Sequence, residues 1–386
     1  MWLKMGALRI TLSSFVILCF TVAVARGAEV VSECSFPAIY NFGDSNSDTG
    51  AISAAFLPIP APYGELFFKK PAGRDCDGRL VIDFIAERLK LPYLSAYLNS
   101  IGSDYRHGAN FATGGSTIQK PNETIYQYGI SPFFLGMQVS HYDQFRERTG
   151  ELYKQAKSEL DRSKLPRPED FPKALYTFDI GQNDLSMGFR AMTMDQLKQA
   201  LPGIVGEFAS AITHLYQNGA RYFWVHNTGP IGCMPVAVMY YKNPAPGFLD
   251  QFGCAHQQNE MAAEFNRQLK DRVMKLRTEL PEAAIIYVDM HSAKYGLIKN
   301  AKNQGFADPM KPCCGNHTNG ANVWCGTKGY VNNAEIFGGA CSNPNHVISW
   351  DGVHYSQAAN KWFADHILSG SLSDPLIPVT RACLKH

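Results

Sequence analysis

Past its first 25 residues this 386-residue chain has no apolar run that approaches a membrane span. It has no block of lysine and arginine, and almost no net charge. Lys4 and Arg9 are the only charged residues before position 26, so the remainder carries 34 cations against 34 anions. A balanced chain without a basic patch argues against nucleic acid and other polyanions as partners. There is no internal repeat and no low-complexity tract. Two signatures of hydrolytic enzymes are also missing: no G-x-S-x-G elbow and no H-E-x-x-H zinc helix.

The excluded N-terminus has its own pattern. Lys4 and Arg9 precede an apolar stretch from Ile10 to Val22, and Ala23-Val24-Ala25 follows it. That is the layout of a secretory signal with its cleavage site, so residues 1–25 are expected to be removed. Residues 26–386 are then expected to form one exported domain without stable membrane association. The C-terminus, Arg381 to His386, lacks the apolar tail of a lipid-anchor signal. Two sequons, at Asn122 and Asn316, agree with export as glycosylation sites.

Nine cysteines lie beyond the signal: Cys34, Cys76, Cys233, Cys254, Cys313, Cys314, Cys325, Cys341 and Cys383. An odd number in an exported chain predicts several disulfides and at least one free thiol. Cys313, Cys314, His317, Cys325 and Cys341 also invite a zinc reading. Adjacent cysteines lack the usual ligand gap, so disulfides are the expectation and no metal is.

Apolar runs alternate with amphipathic stretches. Strands are expected at Ala38–Phe42, Ala109–Ala112, Ala174–Ile180, Tyr222–His226 and Ala283–Met290. Helices are expected over Leu80–Leu91, from a Thr193/Gln196 capping box to Gln217, over Asp250–Leu280, and from a Ser356 cap to Leu368. Pro202-Gly203 should kink or split the second of these. Five strands joined through helices imply right-handed crossovers and a mostly parallel α/β sheet covered on both faces. Residues 305–346, rich in Gly, Asn and Cys, interrupt the alternation and read as a disulfide-pinned insertion.

In a parallel sheet the turns that follow different strands meet at one edge, where ligands bind. Gly43-Asp44-Ser45 follows the first strand, Gly114-Gly115 the second, and Gly181-Gln182-Asn183-Asp184 the third. Asp351-Gly352-Val353-His354 precedes the last helix, with a carboxylate three residues from an imidazole. These supply a nucleophile, a base, its orienter, and donors for an oxyanion. Singly, each has an ordinary explanation as a turn or cap residue, and Asp44 and Asp48 are expected to bond turn N–H groups. His226 follows a strand too, but its apolar run marks it as a histidine of the core or one that supports the site from behind. His107 is a candidate pocket residue or a merely exposed one. Phe133-Phe134 are candidate acyl contacts or core or loop packing.

Four blocks in order, Phe42–Gly50, Gly108–Gly115, Asp179–Asp184 and Asp351–His354, resemble the GDSL esterase/lipase family of the SGNH hydrolases. Thr228–Cys233 looks like a further structural block. The similarity spans the whole chain after the signal and lies in the plant secreted branch, near early-nodulin-type and latex-allergen-type esterases and plant acetylesterases. It implies a flavodoxin-like five-stranded sheet and no cofactor. It implies Ser45 as nucleophile, His354 as base and acid, Asp351 as orienter, and Gly114 and Asn183 as oxyanion donors, with Gly115 the alternative to Gly114. The expected protein is a monomeric apoplastic esterase acting on short or aromatic acyl groups of a glycoside or wall polysaccharide. An acyltransferase with the same triad, and a non-catalytic glycan-binding protein on this scaffold, are the alternatives.

Overall fold

The computed structural model describes residues 33–122, 124–239, 244–317, 322–331 and 333–384. Residues 1–25, read above as a signal, lie outside them. Residues Glu33–His386 form one compact unit.

Five parallel strands make the centre: β1 Ile39–Gly43, β2 Gly108–Asn110, β3 Leu175–Asp179, β4 Tyr222–His226 and β5 Ala284–Val288. A hairpin of β6 Lys328–Val331 and β7 Ala334–Phe337 stands apart from them, and β8 is Ser373–Asp374. The sheet order is β2-β1-β3-β4-β5-β8, with β8 antiparallel to β5. The five-strand expectation therefore gains a sixth, two-residue edge strand, too short to leave a periodicity in the sequence. The β2-β1-β3-β4-β5 order is flavodoxin-like, and its direction reverses between β1 and β3, where such sheets bind ligands.

The longer helices are α1 Val81–Arg88, α2 Leu135–Gln155, α3 Gln182–Ala191, α4 Met194–Gln217, α5 His256–Glu279, α6 Met290–Lys299 and α7 Gln357–Ile367. Alternation along the strands sorts them into two layers. Tyr40, Phe42, Phe223 and Val225 point into a core with Phe145 of α2, Phe208 of α4 and Phe265 of α5. Ile39 and Trp224 point the other way, toward Phe84 of α1, Leu297 of α6 and Phe363 of α7. The Phe42 ring stacks between Phe111 and Phe178, with centroids 5.4 and 5.1 Å away. Three strand ends are thereby locked together at the carboxyl edge of the sheet.

Two helix expectations need correction. Pro202 does not split α4, which runs unbroken past it. Proline costs one backbone bond there, but Leu197, Leu201, Ile204, Val205 and Phe208 bury on both sides and keep the helix in one piece. The helix expected from Asp250 starts only at His256. Asp250 instead folds a turn, its Oδ1 accepting from the N–H groups of Phe252 and Cys254 at 2.8 and 3.0 Å.

Disulfides join Cys34 to Cys383, Cys233 to Cys254, Cys313 to Cys341 and Cys314 to Cys325. Cys76 is the free, buried thiol. All four cysteines of the zinc reading are consumed in the two bridges that pin the 305–346 insertion. The side chain of Asn122 is exposed and Asn316 is half-buried.

Candidate active site

β1 ends at Gly43 because nothing larger fits. A Cβ there would lie 2.4 Å from Ser47 Oγ and 2.6 Å from the Asp179 carbonyl. The Gln138 side chain of α2 clamps this residue, accepting from its N–H at 2.9 Å and donating to its carbonyl at 2.8 Å. The chain then turns sharply, with the Ser47 and Asp48 N–H groups donating to the Asp44 carbonyl. Asp44 Oδ1 accepts from the Asn46 N–H at 2.9 Å. Asp48 binds four backbone N–H groups: Gly50, Ala51, Ile52 and, from the second block, Gly114 at 2.8 Å.

Below the turn lies a buried amide network. The Asn41 amide donates to Asn110 Oδ1 at 2.7 Å and to Ser47 Oγ at 3.0 Å. The Asn110 amide donates to the Ser47 carbonyl at 2.6 Å. Every residue around Ser45 is thus tied down. Ser45 itself is half-buried and its hydroxyl has no hydrogen-bond partner among the described residues.

The third block locks onto the second. Asp184 accepts from the Ile118 and Gln119 N–H groups at 2.8 and 3.0 Å. Asn183 donates one amide N–H to the Ser116 carbonyl at 2.9 Å, leaving its second N–H for another acceptor. This arrangement bears on the choice between the two glycines. The Gly114 N–H is already committed to Asp48, which counts against the oxyanion role expected of it. The N–H groups of Gly115 and Ser45 have no acceptor among the described residues. Gly115 also has a φ of +77°, and a Cβ there would strike the Gly129 carbonyl at 2.6 Å. That position is closed to side chains.

In the fourth block the Trp350 N–H donates to the His354 carbonyl at 2.8 Å, closing a loop that folds Asp351 back on His354. Asp351 Oδ1 accepts from the Val353 and His354 N–H groups at 2.9 and 2.7 Å. Oδ2 accepts from His354 Nδ1 at 2.7 Å and from the Tyr63 hydroxyl at 2.8 Å. The ring therefore carries its proton on Nδ1, and Nε2 is left as the basic nitrogen. Burial alone would raise the Asp351 pKa, but the His354 charge and the bonds from His354 and Val353 hold it at about 2. Burial likewise pulls His354 down, and the charges of Asp351 and Asp75 outweigh it, pushing the ring up to about 9. The Asp44 carboxylate acts on His354 as well, which brings the first and fourth blocks into one electrostatic neighbourhood.

Deeper still, Lys294 of α6 is buried with its ammonium 4.8 Å over the Tyr355 ring. Burial lowers its pKa and the carboxylates of Asp179 and Asp44 oppose that. Asp44 is pushed up to about 7, by burial first and then by the Asp179 charge. Neither Tyr63 nor Lys294 could be placed from the sequence, because nothing local marks a tyrosine as reaching Asp351 or a helical lysine as facing Asp179 and Asp44.

The competing histidines separate cleanly. His226 is buried, its Nδ1 3.1 Å from Asp179 and its Nε2 accepting from the Trp224 indole at 3.1 Å. With both nitrogens occupied it has no lone pair for a serine. His107 bonds the Pro37 carbonyl at 2.9 Å, before β1 begins, so it sits at the opposite end of the sheet from Ser45 and lines no pocket there.

A half-buried serine hydroxyl after β1 at a parallel sheet's switch point and a carboxylate-oriented imidazole are the features that the family comparison meets. Residues 39–367 match the model of the GDSL-like lipase/acylhydrolase family, and the chain belongs to that family. A GDSL esterase/lipase of Arabidopsis thaliana is 62% identical over 375 residues, covering 97% of this chain and 96% of its own. An esterase of Hevea brasiliensis is 44% identical over 379 residues, covering 95% and 94%. Alpha-L-fucosidase 3 of Arabidopsis thaliana is 48% identical over 345 residues, covering 88% and 91%.

Proposed function

We propose that this ester hydrolase works through an acyl-enzyme on Ser45. Its substrates on this reading are acetyl or other short or aromatic esters of a glycoside or cell-wall polysaccharide. The observation that carries the proposal is the Asp351–His354 pair, whose 2.7 Å contact leaves Nε2 free in the field of the turn bearing Ser45. His354 Nε2 takes the Ser45 proton as Oγ attacks the carbonyl carbon. The tetrahedral oxyanion accepts from the Gly115 and Ser45 N–H groups and from the Asn183 amide. As the intermediate collapses, His354 gives its proton to the departing alcohol. Water then enters, loses a proton to the same nitrogen, and releases the acid.

Gly115 here replaces Gly114 as the backbone donor. The rest of the reading is a monomer exported to the apoplast after loss of residues 1–25, glycosylated at Asn122 and Asn316. An alcohol that outcompetes water in deacylation would make the same site an acyltransferase; product analysis with sugar acceptors distinguishes the two.

Two predictions follow from this chemistry. Asn183→Ala should lower kcat about 10²–10³-fold with little change in KM, because the amide bonds charge that develops only in the transition state. Equal effects on KM and kcat would point to a fold defect instead. The kcat/KM profile should rise with pH as His354 loses its proton, with a midpoint at about 9. A profile flat from pH 6 to 10 would remove His354 as the base.

A further inference from the structure

Beside the triad runs a wall for which the acyl transfer steps give no use. Tyr63 begins it, its hydroxyl on Asp351. The chain returns through residues 73–77, and Asp77 ends the wall by accepting from the Gln357 N–H at the start of α7, at 2.6 Å. On the other side Gly73 presses against the catalytic turn: a Cβ there would stand 2.5 Å from the Gly50 Cα. The loop is held closed by bonds from Gly64 N–H to the Cys76 carbonyl and from Leu66 N–H to the Asp77 carbonyl, both 2.8 Å. Buried Arg74 is anchored on Asp83 at 2.7 Å. Between buried Arg74 and buried Cys76, Asp75 alone is half-exposed, and its carboxylate has no hydrogen-bond partner among the described residues.

Asp75 lies within electrostatic reach of the fourth block. Its charge acts on His354, on Tyr63 and on Tyr126. Tyr126 approaches from the opposite block, with a ring carbon 3.0 Å from where a Gly115 Cβ would be. Its ring packs against Phe56 with centroids 6.0 Å apart. An exposed aromatic ring beside Gly115 and an unpaired carboxyl group in the field of His354 thus both border the proposed site.

The position of Asp75 decides which part of the ester it meets. The leaving oxygen must lie where His354 Nε2 can protonate it, so the alcohol portion lies on the His354 side, beside Asp75. We propose, resting on the serine-esterase reading, that Asp75 and Tyr126 form a subsite for a neutral, hydroxyl-rich alcohol, a sugar. The carboxyl group accepts hydrogen bonds from vicinal hydroxyls and the ring covers a C–H face. Asp351, which stays ionised, and Asp75 as it ionises repel alcohols that carry a phosphate or carboxylate. Burial pushes Asp75 up to about 7, so around neutrality its carboxyl group is partly protonated and can both donate and accept hydrogen bonds, which suits hydroxyls better than the fixed negative charge a quaternary ammonium would need.

The test uses the whole chain with three acetyl esters: a monoacetylated methyl xyloside with two free hydroxyls, p-nitrophenyl acetate, and acetylthiocholine. Asp75→Asn should lower the ratio of kcat/KM for the xyloside to that for p-nitrophenyl acetate by about tenfold or more, mainly through KM. Asp75→Glu should restore part of it. In Asp75→Asn the midpoint of the pH profile should also move down, because one of the charges holding the proton on His354 is gone. A purely structural role would depress both esters together and leave that midpoint in place. An unchanged ratio, a wild-type chain inactive on the xyloside, or acetylthiocholine as the ester most affected would each overturn the proposal. A wild-type chain inactive on p-nitrophenyl acetate would instead overturn the esterase reading, and the subsite with it.

Discussion

Ser45→Ala should reduce turnover of p-nitrophenyl acetate by about 10⁴-fold or more and leave the thermal unfolding midpoint where it was. The two halves of this expectation have separate causes. The turn around Ser45 is built by the Asp44 and Asp48 carboxyl groups, the Gln138 clamp on Gly43 and the Asn41–Asn110 amide network. The Ser45 hydroxyl takes part in none of these, so its loss costs no structural bond. On the proposed mechanism it is the atom that bonds the acyl carbon, and its neighbour cannot replace it. Ser47 is buried, its Oγ accepting from the Asn41 amide at 3.0 Å. A fluorophosphonate probe should label wild type and fail to label the variant. Turnover within tenfold of wild type in Ser45→Ala would end the assignment.

Asp351→Asn should cost about 10³–10⁴ in kcat, from a change of one atom. Oδ1 of Asp351 receives two backbone N–H groups, and Oδ2 receives His354 Nδ1–H and the Tyr63 O–H. In asparagine the oxygen will stay with the two backbone donors, which cannot move. The new NH₂ then faces His354 Nδ1 and must find an acceptor there. The imidazole proton is driven to Nε2, and the base is lost without displacing an atom. Residual activity should show a lower pH midpoint, since Asp351 contributes most to raising His354.

The same variant has a stability signature whose sign follows from the two pKa shifts. Asp351 is lowered to about 2, so its contribution is present above the unfolded value of 3.8 and is lost as pH falls through 2. His354 is raised to about 9, so its contribution is present below the unfolded value of 6.5 and is lost as pH rises through 9. Both hold fully between 3.8 and 6.5. The melting temperature difference between wild type and Asp351→Asn should be largest there and shrink above pH 9.

The main elements of the catalytic frame were legible because each has a local signal. The β4 strand reads directly from the apolar run Tyr222–His226, and the Ser356 cap from its place before α7. The strand-end position of Ser45 and Asn183 followed from the alternation of strands and helices. What escaped depends on contacts between distant residues. Tyr63 and Asp351 are 288 positions apart and meet only when the loop closes over α7. The two glycines of the second block are chemically identical in sequence. Only the Asp48 carboxylate, committed to the Gly114 N–H, separates them. Pro202 does not split α4 because the helix is held by the side chains it buries, while propensity weighs one lost bond.

The Cys34–Cys383 bridge spans 349 positions and joins the two ends of the folded unit. During synthesis the first partner emerges early and must wait, as a reduced thiol, for almost all of the remaining chain. The Cys233–Cys254 and Cys314–Cys325 bridges, with separations of 21 and 11, can close as soon as their own segments appear. A truncated product would therefore retain inner crosslinks yet present an unpaired Cys34 at its surface. That thiol is a chemical mark by which unfinished chains can be told from finished ones.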